Sequence, residues 1–168
     1  MVTYEKMQSS PELNNEKLHD KFSGLFWRAF AMKGIGPVNY EDNKNYHELK
    51  ANIKRSDGNA NWWNTIMMNR EIIIEDKIKD KKTGEVNINQ YSLYMHYVKT
   101  LKGVSIEWKY NDKYLTSVEG LDKAFNIIND VLVKMEAENF REKNRKDLKD
   151  LSYEITNTVN QGNEPDYA

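Results

Sequence analysis

Two runs of alternating side chains commit this chain to an antiparallel sheet. Between Val104 and Tyr110, the apolar Val104, Ile106, Trp108 and Tyr110 alternate with Ser105, Glu107 and Lys109. Successive side chains of a strand point to opposite faces, so the run has one dry face and one wet face. Asn111-Asp112 follows, two residues that tolerate positive φ and so suit a two-residue hairpin turn into residues 113–117. In that register Trp108 opposes Leu115 on the inner face and Lys109 opposes Tyr114 on the outer one. Upstream, the isoleucine-rich Glu71–Lys79 leads into the tight turn Asp80-Lys81-Lys82-Thr83-Gly84, and Val86 and Ile88 return as the partner strand. Residues 91–101 fit both the helical and the strand period, and their aromatic and β-branched content assigns them to a strand.

The flanks read as helices. Ser10 and Pro11 open one over residues 11–33, in which Leu18, Phe22, Leu25, Phe26, Ala29 and Phe30 recur at helical spacing until Gly34. Residues 43–55 predict a short surface helix with Tyr46, Leu49 and Ile53 on one side. Thr116 to Glu119 has capping-box spacing, and Leu121, Phe125, Ile128, Leu132 and Met135 repeat at alternating fours and threes in a helix over 117–140. The stripe lapses across 141–147 and resumes out of phase at Leu148, Leu151, Ile155 and Val159, which predicts a break or a second helix. The expected fold is therefore α+β, an antiparallel sheet of about four strands in two hairpins packed on N-terminal and C-terminal helices. Residues 1–140 form one domain, 141–160 a helical extension and 161–168 a disordered tail.

Composition narrows the function more than it defines it. The 168 residues suit one domain, and 25 Lys plus Arg against 26 Asp plus Glu give a net charge of −1. Such a chain offers no bulk attraction to nucleic acid or anionic lipid, so any electrostatic footprint is local. The absence of cysteine excludes disulfides and thiolate chemistry. No signal peptide and no membrane-length apolar run is legible, and a cytoplasmic location is expected. The heavy use of Lys, Asn and Ile is typical of AT-rich coding sequence, as in low-GC bacteria and their phages.

Catalytic motifs fail one by one. Gly34-Ile35-Gly36-Pro37 follows a helix and lacks the third glycine of a dinucleotide loop. His47-Glu48 begins like a zinc-protease motif, but Ala51 stands where the second histidine belongs, and His19 and His96 are isolated. No catalytic residue, metal or cofactor is expected.

The overlap of basic with aromatic residues is more suggestive. Lys77, Lys79, Lys81 and Lys82 gather at one hairpin tip, Lys99, Lys102 and Lys109 lie in or beside the later strands, and Tyr94, Tyr114 and Trp62 are candidates for the outer face. Cations that neutralise phosphates beside aromatic rings that stack bases are how single-stranded nucleic acid is held. The adjacent Trp62 and Trp63 cannot easily both be buried; Trp63 is expected inside and Trp62 outside, as an anchor for a partner. The order of four strands then a helix, from Ile72 to Met135, resembles the single-strand-binding sheets of the Whirly kind, which carry ββββα units and dimerise. That resemblance implies single-stranded DNA or RNA as ligand and a possible homodimer. The alternative expectation is a protein–protein inhibitor or adaptor, such as a phage-type, anti-CRISPR-like counter-defence protein acting on a host protein complex.

Overall fold

The computed structural model describes residues 11–58 and 64–160, with side chains to residue 156. A single 3-10 turn, Pro11–Leu13, precedes helix α1 (Glu16–Ile35). Six strands follow: β1 (Val38–Glu41), β2 (Asn45–Gly58), β3 (Ile66–Asp80), β4 (Val86–Thr100), β5 (Gly103–Tyr110) and β6 (Lys113–Tyr114). Helix α2 (Val118–Asn160) ends the described chain. The strands form one antiparallel meander in chain order, and both helices pack on one of its faces. The class is α+β as expected, with six strands instead of about four.

The additional strands come from residues 38–58, where a helix was expected over 43–55. The helical period collects Tyr46, Leu49 and Ile53, but a period of two collects His47, Leu49, Ala51 and Ile53 inward and Tyr46, Lys50, Asn52 and Lys54 outward. Along its whole length β2 pairs with β3, from Asn45 opposite Asp80 to Gly58 opposite Met67. That ladder outweighs local propensity.

The helix ends also differ from expectation. Pro11 opens the 3-10 turn, and α1 is capped by Asn15, whose side chain accepts from the Lys17 N–H at 2.8 Å. Gly34 is carried inside the helix; Gly36, at φ 103°, closes it and donates to the Met32 carbonyl at 3.0 Å. The expected break after Phe140 is absent. Lys, Arg and Glu are good helix formers, so losing the apolar stripe ends burial without ending the helix. Arg141 pairs with Glu138, and Arg145 with Glu142 at 3.0 Å, along this exposed extension. Residues 161–168 lie outside the described part.

The core is built around Trp108, which is 1% exposed. Its indole N–H donates to the Leu13 carbonyl at 3.2 Å, and the rings of Phe22 and Phe125 meet it edge-on, each with centroids 5.7 Å away. One strand residue thus touches both helices and the N-terminal turn. The helices are also tied directly, since Arg28 donates to both carboxylate oxygens of Glu136, at 2.6 and 3.1 Å, and to Asn129 at 2.7 Å.

The β5–β6 turn has the left-handed geometry its residues suggested, with φ of 48° at Asn111 and 66° at Asp112. Lys109 sits opposite Tyr114, and the Leu115 N–H donates to the Trp108 carbonyl at 2.9 Å. Asn111 also accepts from the Ser92 N–H through its side chain at 2.8 Å. Asp112→Gly therefore raises the urea midpoint, by up to about 1 kcal/mol of relieved backbone strain. Asn111→Gly lowers it, because the Ser92 donor loses its partner. Equal responses of the two variants would contradict this division of roles.

Candidate binding face

Both helices lie against the side of the sheet that carries Ala51, Ile72, Ile74, Leu93, Met95, Ile106 and Trp108. Among the described residues neither helix packs its buried stripe on the other side, although at one end Glu138, Glu142 and Arg145 of α2 share a groove with Tyr46, Lys77 and Lys79. Register aligns its side chains in rows across the strands. At one end Glu41, Tyr46, Lys79 and Val86 stand side by side, followed by Glu48, Lys77 and Ile88, and then by Lys50, Glu75 and Gln90. Further along come Asn52, Ile73 and Ser92, and then the longest row, Lys54, Glu71, Tyr94, Lys109 and Tyr114. Lys50, Lys54 and Lys77 each oppose a glutamate. The face is a mosaic of alternating charge with apolar and aromatic groups between, and its described residues form no continuous cationic track.

The residues singled out from sequence fall into three groups. Tyr94, Lys109 and Tyr114 do come together: the Lys109 ammonium lies 5.6 Å from the Tyr94 ring centre and 4.7 Å from that of Tyr114. Around them, the Tyr94 hydroxyl donates to Asn69 at 2.7 Å, His96 meets the same Asn69 oxygen, and Ser92 donates to Glu71 at 2.8 Å. Lys77 and Lys79 share this face but stand at its far end. Lys81 lies just beyond them, 3.2 Å from Glu41 and over the Tyr46 ring. Lys82 is at the tip of the β3–β4 turn, and Lys102 is in the β4–β5 turn.

Lys99 belongs to the other side. Five residues from Tyr94, it has the opposite parity, and its ammonium is 3.7 Å from Glu16 of α1. Trp62 and Trp63 lie outside the described residues.

A cluster that sequence reasoning missed sits near the β1 edge. His47 stacks flat on Tyr40, with ring centres 4.4 Å apart and planes inclined by 4°. Its Nδ1 is 3.0 Å from Asp76 and its Nε2 is 2.8 Å from Asp42. A carboxylate on each ring nitrogen favours the imidazolium, the form that can donate on both sides. Burial pulls its pKa down, but the bonds to Asp42 and Asp76 outweigh burial and the net shift is upward. Asp42 is lowered to about 2 by the His47 bond and by the backbone N–H groups of Asn45 and Lys44. Burial, with Asp76 and Asp42 nearby, pushes Tyr40 up to about 12.

An open groove of about 740 Å³ runs beside this cluster, lined by Tyr46, Lys77 and Lys79 of the sheet and by Glu138, Glu142 and Arg145 of α2. Its walls carry both signs of charge. Among the described residues no group of His, Asp and Glu is arranged to hold a metal ion. No helix there is long and apolar enough to cross a membrane. No protein-family model matches the chain, and no curated protein and no solved structure gives a significant match.

Proposed function

We propose that the chain is a non-enzymatic binding module that docks a protein partner on the open face of its sheet. The observation that carries this reading is the mosaic itself. Ile88 is 61% exposed and stands beside Lys77, which opposes Glu48, while the exposed Val86 and Tyr46 flank Lys79 in the next row. A complementary protein surface matches such a pattern, whereas a uniformly anionic phosphate backbone gains little from it. Both ring nitrogens of His47 are already engaged by carboxylates of its own chain, which leaves neither turned to a substrate. A module of this kind acts as an inhibitor or adaptor by occupying its partner's surface, and the phage-type counter-defence role is one form of that.

Single-stranded nucleic acid remains the second reading, favoured by the Tyr94–Lys109–Tyr114 cluster. The Lys109 ammonium already lies against both rings, so base stacking would have to displace it. Affinity capture from the native host's lysate, with and without nuclease, separates the two. The expected result is a stoichiometric, nuclease-resistant protein that is lost with Ile88→Glu and kept with Val133→Glu, a substitution at an exposed site on α2. Recovery of nucleic acid alone, or equal capture by both variants, would contradict the proposal.

A further inference from the structure

The strand β1 covers only part of its neighbour. Its residues pair with Tyr46–Leu49, whereas β2 continues to Gly58, and among the described residues no strand lies on the β1 side of 50–58. The turn fixes which backbone groups face that gap. The Asp42 N–H donates to the Asn45 carbonyl at 3.0 Å, so residue 45 faces β1. Alternation then turns the N–H and C=O groups of Ala51, Ile53, Arg55 and Asp57 into the open edge and those of their neighbours towards β3. One of these amides, that of Ile53, is taken up locally by the side chain of Asn52 at 2.9 Å.

Both flanks of this edge are furnished. On the helix side, α1 presents Trp27 and Phe30, 48% and 50% exposed and packed edge to face at 5.7 Å. The Arg55 guanidinium lies 5.8 Å from the Trp27 ring, which ties that aromatic shelf to the edge. On the open-face side, the same stretch carries Lys50 and Lys54.

We infer that this free half of β2 is a strand-addition site for an extended, acidic segment of a protein partner. The segment lies beside residues 50–58 as a seventh strand, with alternate apolar side chains on Trp27 and Phe30 and acidic ones between them next to Lys50 and Lys54. The inference rests on the reading that the partner is a protein, and it specifies that partner's chemistry. Charge argues against a second copy of this chain, because edge-to-edge pairing would set Lys50 and Lys54 near like charges, while Asp57, the acidic group of this stretch, is already paired with Arg55 and Arg70.

The test uses the whole chain and a synthetic nonapeptide of alternating valine and glutamate, added up to about 1 mM and followed by amide NMR. Saturable binding is expected, with slowed exchange at residues 51, 55 and 57, and a valine–lysine peptide should bind at least about tenfold more weakly. Proline is tolerated where an edge N–H faces solvent, so Arg55→Pro removes one outward donor while keeping the β3 ladder, and it should weaken binding about tenfold, against less than about threefold for Arg55→Ala. N-methylating alternate amides of the peptide tests the same bonds without touching the protein, and it should abolish binding.

Unchanged affinity of Arg55→Pro or of the methylated peptide overturns the inference. So does protection of other strands, or protection at 51–57 that grows with protein concentration in the absence of peptide, the mark of a second copy. If a partner captured from lysate is lost with Ile88→Glu but binds Arg55→Pro as tightly as the wild type, strand addition fails and the open-face reading stands.

Discussion

Trp108→Ala is expected to cost about 3–5 kcal/mol of unfolding free energy, the range for deleting a large aromatic from a packed core. Three separate elements lean on this side chain: Leu13 through its carbonyl, Phe22 through α1 and Phe125 through α2. Truncation opens a cavity between both helices and the sheet and strands the Leu13 carbonyl without its donor. Urea denaturation measures the loss, with Trp27→Ala as comparison. Trp27 is half exposed and should cost far less. A loss below about 1 kcal/mol at Trp108 would mean that the helices do not depend on the sheet at this point.

Asp76→Ala should be nearly as damaging, at about 3 kcal/mol near neutral pH, because it leaves the His47 imidazolium buried with one nitrogen unpaired. The pH dependence gives a sharper signature than the magnitude. The folded pKa of His47 is raised above its unfolded value, so its contribution is complete below about 6.5 and is lost as pH rises through the raised folded value. Asp42 acts at the acid end. Its folded pKa is depressed to about 2 from 3.8, so its contribution holds above the ordinary value and fades as pH falls through about 2. Wild-type melting temperature should therefore fall on the alkaline side of about 6.5, and Asp76→Ala should flatten that slope. A variant that keeps the wild-type slope would show that His47 titrates independently of Asp76.

The second half of the sheet was legible because its signals are local and agree with one another. Alternation from Val104 to Tyr110 and the Asn111-Asp112 turn fixed a register in which Lys109 opposes Tyr114. The same parity placed Tyr94 on that face. The first half was hidden because its inner row, His47, Leu49, Ala51 and Ile53, contains a polar and a small residue, while Tyr46, Leu49 and Ile53 imitate a helix. Only the ladder to β3, formed with residues far along the chain, decides between those periods. The His47 cluster is hidden for a similar reason: Asp76 lies 29 residues away, and no local spacing announces the contact. Lys99 was grouped with Tyr94 by proximity in sequence, where the odd separation puts it on the opposite side. In α2 the lapse of the apolar stripe marks where the helix leaves the body, and helix-favouring charged residues carry it on.

The open face of the sheet is proposed to meet a protein partner. The most direct measurement of this contact places a photo-crosslinking amino acid singly at Ile88, at Tyr46, and at Val133 on the exposed side of α2, each in the full chain within its native host. Discrete protein adducts are expected from Ile88 and Tyr46, and none from Val133. Adducts from Val133 alone, or adducts to nucleic acid from the sheet positions, would contradict it.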